Sequence, residues 1–491
     1  MNGSLQPLIY QLIFWLTQLL IIYVVVVTAF YFVLFVIAAR QLRKESGLQL
    51  IQYEDVLHST FTPPLSILVP AYNEETGIVA STRSLLSIHY QEFEVIVIND
   101  GSTDLTKDVM IREFAMVEMK GKVQWSGLQQ PTQAIKGIYR SFRHPNLFFI
   151  DKENGGKSDA LNVGINFSKY PYFVSLDGDS VLDRDALIKV MKPIVEARPG
   201  EEIIATGGSV GIANGSQIQS GHLASGAVAL SRNRIVVMQV IEYLRAFLMG
   251  RMGLSKYNLL LIVSGAFGVF KKSWVIEAGG YEVNTVGEDM ELVVRLHRLV
   301  KEKKSKARIV YISDPVCWTE VPENLQVLHR QRTRWHRGLF ESLWKHKKMF
   351  LNPRYGGIGL ISIPYFVLIE LLGPVVELLG YLCILVGYFL DVVNVQYAVI
   401  LSIVMLLYGS LLSMGAVLLE EWGLHKYSRL SDMSRLFLFA LSEAFWYRPM
   451  MTLWRFEGFV QALSGRRAGW GEMTRKSGIM GMKPPNPPVA K

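Results

Sequence analysis

Three short motifs that could do chemistry follow one another through the middle of the chain: Asp177-Gly178-Asp179, Glu288-Asp289 and Gln331-Arg332-Thr333-Arg334-Trp335. Asp177 and Asp179 lie two apart after an apolar run, so in extended geometry both carboxylates face one way, and Gly178 between them lets a diphosphate approach. Hard oxygen ligands suit Mg²⁺ or Mn²⁺ that also binds phosphate oxygens, and such a cation offsets the charge gathering on a leaving diphosphate. Glu288-Asp289 opens a helical pattern in which Leu292, Val293 and Leu296 bury one face. First-turn carboxylates ordinarily serve the helix dipole. Asp289 also suits a general base that takes a proton from an attacking hydroxyl, with Glu288 orienting it. Gln331, Arg334 and Trp335 share a helical face, where Arg334 can pair with a diphosphate and Trp335 offers a flat surface for a ring to stack on. Each motif alone has a plainer reading: a solvated turn, a helix cap, an interfacial helix anchored by its tryptophan at the headgroups. Arg332 and Arg337 read as lipid-facing charges. The order of the three motifs in one chain favours the chemical reading.

The elements that must position these residues are legible nearby. Ser66–Val69, Glu94–Ile98, Leu147–Ile150 and Tyr172–Leu176 are short apolar runs suited to buried strands, each followed by a polar loop and a helical pattern. This predicts an α/β fold with a mostly parallel sheet over residues 53–330, whose ligands sit where loops leave the carboxyl ends of strands. Ala71, Tyr72 and Glu74 follow the first run and Asp100 the second, placed to line a nucleoside pocket; the alternative for Asp100 is an Asp-Gly turn. Lys152-Glu153-Asn154-Gly155-Gly156-Lys157 lacks the P-loop spacing. Its glycines open a helix at Lys157, whose N–H groups and lysine either lie near phosphate or form a glycine-rich turn with a solvated lysine. Glu242–Arg245 and Ser264–Phe267 are less readable, in a helical and a strand-like pattern. His297 and His336 read as surface or packed residues.

Half of the 491 residues are apolar, and the first charge is Arg40. Leu5–Ala39 is long enough to cross a bilayer and reads as an uncleaved anchor, residues 1–39. Gly356–Leu390 and Tyr397–Leu419 read as further spans. Leu436–Leu463 carries Glu443, Arg448, Arg455 and Glu457 and reads as a protein-lined or interfacial helix within the block 356–463. Basic clusters at Arg40–Lys44, Lys345–Arg354 and in the basic, proline-rich tail 464–491 place the soluble part in the cytosol. These flanks account for the net charge of +9 without nucleic acid. Cys317 and Cys383 imply neither a disulfide framework nor a thiolate site. Glu370 and Glu377 lie seven apart, so they share a helix face; they either line a polar path or pair with Arg448 or Arg455.

The succession PAYNEE, NDGSTD, KENGGKSDALN, DGD, GED and QRTRW resembles the family 2 inverting glycosyltransferases. The likeness is to the processive membrane-bound branch of cellulose, chitin, hyaluronan and poly-N-acetylglucosamine synthases. The resemblance implies a GT-A nucleotide-sugar domain with a divalent cation, Mg²⁺ or Mn²⁺, on Asp177 and Asp179. It also implies nucleotide contact at Asp100, a base at Asp289, and the Gln-x-x-Arg-Trp element at Gln331, Arg334 and Trp335, on an interfacial helix at residues 331–352. Cellulose and chitin synthases commonly carry Thr before Glu-Asp, where this chain has Gly287, which leaves the sugar open. The expected function is extension of a β-linked polysaccharide from a UDP-sugar at the cytosolic face of the plasma membrane, with export of the chain and room for accessory export proteins. The alternatives are single glycosylation of a lipid acceptor and, in a different class, a transporter or nucleotide sensor.

Overall fold

The computed structural model describes residues 5–46, 62–121, 123–178, 180–216, 218–219, 222–223, 228–390, 395–424, 426–427 and 429–465. Asp179, the start of the soluble part at Tyr53, and the tail from residue 466 lie outside the described residues.

The four apolar runs form strands β1 (Leu65–Ala71), β2 (Phe93–Asp100), β5 (Leu147–Lys152) and β6 (Tyr172–Leu176), with β3 (Met116–Glu118) and β4 (Ile135–Ser141) between them in sequence. Later in the chain come β7 (Val181–Leu182), β8 (Ile203–Ile212), a two-stranded hairpin of β9 (Ile218–Gln219) and β10 (His222–Leu223), then β11 (Phe267–Lys271) and β12 (Arg308–Thr319). One sheet runs β3-β4-β5-β2-β1-β6-β11-β8-β12-β7. β1 is parallel to β2 and β6, β2 to β5, and β8 to β12. Only β4, β11 and β7 run against the others, so the mostly parallel sheet expected from sequence is present. Layers of helix cover both faces of a parallel sheet, which is why its central strands are continuous apolar runs and not alternating ones. The carboxyl ends of β1, β2, β5 and β6 share one edge, and their loops lie side by side there.

The helices that matter to the site are α1 (Leu5–Ser46), α2 (Lys157–Phe167), α3 (Arg234–Leu244), α4 (Glu288–Glu302) and α5 (Leu325–Lys345). α3 runs on through a π-helical stretch, Arg245–Arg251, to Ser255. α4 buries Leu292, Val293, Leu296 and Val300, the face expected from its spacing. Asn324 caps α5 by accepting the Val327 N–H at 2.9 Å.

After α5 come α6 (Gly373–Phe389), α7 (Val395–Gly423), α8 (Leu430–Ser442) and α9 (Tyr447–Leu463). Among the described residues two helical stretches, Tyr10–Lys44 and Ser402–Gly423, are long and apolar enough to cross a membrane; a third counts if Ile358–Leu371 and α6, bent by 44°, form one span. The last hydrophobic block is two helices, α8 and α9, separated by a 3-10 turn at Glu443–Phe445. α9 packs on α5, where a Cβ on Gly458 would stand 2.6 Å from the Thr333 carbonyl. Glu370 accepts from Arg455 at 3.0 Å and from the hydroxyls of Tyr31 and Tyr365 at 2.9 and 2.7 Å. Glu377 accepts from Thr452 and Tyr381. Both carboxylates therefore have partners inside the helix bundle, which removes the cost of turning them toward lipid.

Candidate active site

The loops after β1 and β2 are laced together. The Asn73 N–H donates to Ser102 Oγ at 2.9 Å and the Thr103 N–H to Asn73 Oδ1 at 2.8 Å. The Leu105 N–H donates to Glu75, and the Glu75 N–H to Asp104. Ala71 is buried at the end of β1, Tyr72 stands half exposed at the rim, and the Glu74 side chain comes about 4.0 Å from where a Cβ on Gly178 would sit. Of the residues read as a nucleoside pocket, Glu74 thus stands beside the turn that follows Asp177.

Asp100 lies deeper than a residue that merely lines a pocket. It is 4% exposed, and its carboxylate accepts the N–H groups of Gly155 and Gly156 at 3.0 and 2.7 Å. Lys152, fully buried beside it, bridges Asp100 at 2.5 Å and Asp159 at 2.6 Å. Gly101, at φ +68°, passes so close that a Cβ there would meet the Asn154 nitrogen at 2.6 Å. Asp100 therefore holds the glycine loop that launches α2, with Gly156 at φ +87° as the cap. The sequence reading missed Lys152 and Asp159. The available signal was a lysine ending a strand that opens with four apolar residues, in register with Asp100 on the neighbouring β2. Lys152→Met would leave two buried carboxylates without their shared cation. We expect a loss of about 3 kcal/mol of stability, the range for breaking a buried pair, seen as a lower unfolding midpoint in detergent at a fixed scan rate.

From the first turn of α2, Lys157 reaches across to the end of β6. Its Nζ lies 2.5 Å from Asp177 Oδ1 and 3.6 Å from Glu288 Oε1, and donates to the Gly265 carbonyl at 2.9 Å. Asp289 rests against the same backbone: a Cβ on Gly265 would stand 2.9 Å from Asp289 Oδ2. Two of the three motifs, from distant regions of the chain, thus meet at the ammonium of the glycine-loop lysine. Burial alone would lower the Lys157 pKa, but the charges of Asp177 and Glu288 outweigh it and hold the ammonium above its ordinary range. Burial pushes the Glu288 carboxyl up; Lys157 pulls it back, and Asp289 adds repulsion that raises it further. The solvated-lysine alternative for Lys157 is set aside by this geometry.

The Gln-x-x-Arg-Trp element sits mid-way along α5. Arg332 is 3% exposed and corrects the lipid-facing expectation. Its guanidinium bonds Glu242 at 2.8 Å and Gln331 Oε1 at 2.9 Å, and lies 4.3 Å from the centre of the Trp335 ring. Glu242 also accepts the Tyr447 hydroxyl at 2.7 Å. Arg337 is likewise turned inward, onto Glu341 at 2.8 Å. A buried guanidinium needs a carboxylate partner, and α3 supplies one. Trp335, with Arg332 over its ring, keeps 43% of its surface exposed. His297 and His336 are both packed, on the carbonyls of Leu260 and Leu371. α5 meets α4 backbone to backbone: a Cβ on Gly287 would stand 2.9 Å from Gly338 Cα. That contact accounts physically for Gly287 in this chain, since any side chain there must push α5 away.

The family model described as "Glycosyltransferase like family 2" matches residues 63–338, more than half of the chain. The chain belongs to glycosyltransferase family 2. A second model, "Chitin synthase", matches residues 282–480 of this family 2 enzyme. Poly-β-1,6-N-acetyl-D-glucosamine synthase of Staphylococcus epidermidis is 28% identical over 316 residues, which is 62% of this chain and 64% of that one. The enzyme of the same name from Staphylococcus aureus strain COL is 29% identical over 282 residues, 57% of this chain and 55% of that one. The matches therefore span less than two thirds of these relatives. Among solved structures, the mannosyltransferase of Pyrobaculum calidifontis in complex with GDP-mannose and Mn²⁺ aligns with a TM-score of 0.49 at 18% identity, over 88% of this chain and 100% of that one. The family 2 transferase has the expected GT-A α/β architecture, with loops at the carboxyl ends of β1, β2, β5 and β6 carrying the motifs.

Proposed function

We propose that this protein is a membrane-embedded inverting glycosyltransferase that takes UDP-N-acetylglucosamine at the cytosolic face of the cell membrane and extends a β-linked polysaccharide, coupled to its export. The observation that carries this reading is the convergence of Asp177 and Glu288 on Lys157, with Asp289 against Gly265, whose carbonyl Lys157 also bonds. The named activity of the staphylococcal relatives supports the choice of sugar.

In this reading the 1–39 segment anchors the chain, 53–330 is the transferase domain, and the helices of 356–463 hold it against the bilayer. The acceptor's terminal ring stacks on Trp335, and Asp289 removes a proton from its hydroxyl as the oxygen attacks the anomeric carbon from the face opposite the diphosphate. That single displacement inverts the anomeric configuration. Ala71, Tyr72, Glu74 and Asp100 form or support the nucleoside side, while Lys157 and Arg334 offer cationic groups to the diphosphate.

The donor set around Asp177 also fits a hard divalent cation. Two carboxylates, Asp177 and Glu288, face one ammonium and Asp289 lies close by against Gly265, a local excess of negative charge whose ligand atoms are all oxygens. Among the described residues no three such side chains converge closely enough to chelate an ion unaided, as suits a cation that shares phosphate oxygens. Asp177 and Asp179 would hold Mg²⁺ or Mn²⁺, which when bound takes up charge from the leaving diphosphate.

The test is to purify the full chain in detergent, supply UDP-N-acetylglucosamine with Mg²⁺ or Mn²⁺, and follow UDP release, product size and linkage. We expect cation-dependent UDP release and a long product. One sugar added per lipid molecule would establish the lipid-acceptor alternative instead, and absence of UDP release with every common UDP-sugar would revive the transporter or sensor reading.

A further inference from the structure

Residues 285–287, immediately ahead of Glu288-Asp289, are held by the helix that carries the arginine-tryptophan element. Glu341 Oε2 accepts the Val286 N–H at 3.0 Å and the Thr285 hydroxyl at 2.9 Å. Thr285 Oγ1 in turn accepts the Gly287 N–H at 3.2 Å. The other oxygen of Glu341 is taken by Arg337 Nε at 2.8 Å, which pins the carboxylate on α5 and leaves one oxygen facing the loop. Ser342 Oγ donates to the Gly287 carbonyl at 3.3 Å, and Gly287 lies directly against Gly338. Further along, Lys345 and His346 reach Glu291 of α4 at 3.3 and 3.1 Å.

α4 has no side-chain cap of its own, because its N-cap is Gly287. A helix start without a local cap takes its direction from whatever satisfies the residues before it. Here that partner is Glu341, 53 to 56 residues away in sequence by its separations from Glu288 and Thr285. Asp289 sits in the first turn of α4, so a small rotation at 285–287 swings its carboxylate away from Gly265 and the donor.

We propose that Glu341 is a positioning residue for Asp289: it locks the start of α4 to α5, so that the base and the Gln331–Trp335 platform are presented as one rigid unit. The proposal rests on the reading of Asp289 as the base, and it adds a residue that touches neither donor nor acceptor. Holding reacting groups in register is worth a large factor, and a displacement of about 1 Å costs on the order of 10²-fold.

The experiment compares Glu341→Ala, Glu341→Gln, Thr285→Val and Asp289→Asn in the detergent-purified full chain, with UDP-N-acetylglucosamine and Mn²⁺ for turnover and UDP for binding by calorimetry. Glu341→Ala is expected to lower kcat by ~10 to 10²-fold while donor KM and UDP affinity stay within about twofold. Glu341→Gln retains a carbonyl oxygen for Thr285 and Val286, so it should recover most of the lost kcat. If Glu341→Ala does not fold, Thr285→Val decides: a lowered kcat with unchanged UDP affinity supports the role, and parental kcat overturns it. Parental kcat in Glu341→Ala, a matching loss of UDP affinity, or no recovery in Glu341→Gln also overturns it. An active Asp289→Asn would instead overturn the base reading, whatever the Glu341 variants do.

Discussion

Asp177→Asn is expected to reduce transfer by on the order of 10³-fold at saturating Mn²⁺, since cation stabilisation of a leaving diphosphate is worth several kcal/mol. The substitution is nearly isosteric, so β6 and the bond that the residue 177 N–H donates to the Ala266 carbonyl should stay intact. What changes is charge. A neutral amide is a poor ligand for a hard cation, and Lys157 loses the carboxylate it meets at 2.5 Å, keeping Glu288 at 3.6 Å. Two roles can be separated by titrating Mn²⁺ against UDP release. If Asp177 is a cation ligand, the midpoint moves to much higher Mn²⁺; if it only steadies Lys157, then Lys157→Met reproduces the loss and the midpoint stays put. Activity of the parent protein that survives chelation would remove the cation from the account altogether.

How much of this was legible in sequence follows from how local each cause is. The central strands, the glycine loop opening α2 and the start of α4 are written in adjacent residues, through apolar runs, turn chemistry and helical spacing, and the structure has them there. The reversal of β11 is not local: it depends on which strand lies beside it, and five residues of Phe267–Lys271 carry no mark of direction. The same holds for buried charge. Arg332 looks like an interfacial cation until Glu242, 90 residues earlier, is brought under it. Lys152 looks solvated until Asp100 and Asp159 close on it. Side-chain type tells which residues need partners, and only the fold tells which partner answers. Glu341 went unnoticed for that reason: two of its partners, the Thr285 hydroxyl and the Val286 N–H, lie 56 and 55 residues away in sequence, and one of them is a backbone group that leaves no trace in the amino-acid code.

The Glu370 pairing bears on the proposed export. A carboxylate already bonded to Arg455, Tyr31 and Tyr365 has little spare capacity to guide a sugar. These groups join α1, the bent segment before α6, and α9, so their first effect is to tie three membrane-side elements together. That weighs toward the bundle-holding alternative for Glu370. Glu377, with two hydroxyl partners, is the more open of the pair.

Asp289→Asn separates chemistry from binding. Asparagine keeps the shape that rests against Gly265, and the groups assigned to the nucleotide, Asp100, Lys157 and Asp177, are untouched. UDP affinity should therefore stay at the parental value. The amide has no basic lone pair with which to take a proton, so the acceptor hydroxyl must attack while still protonated, and kcat should fall by ~10² to 10⁴-fold, the range for losing a general base. Glu288 is not placed to substitute: it is 6% exposed and its oxygen is turned toward Lys157. The decisive pair of measurements is UDP binding by calorimetry and single-turnover transfer in the same preparation. A fall in both by the same factor would make Asp289 part of the donor site. Parental transfer with parental binding would return it to the helix-dipole role that its place in the first turn of α4 also allows.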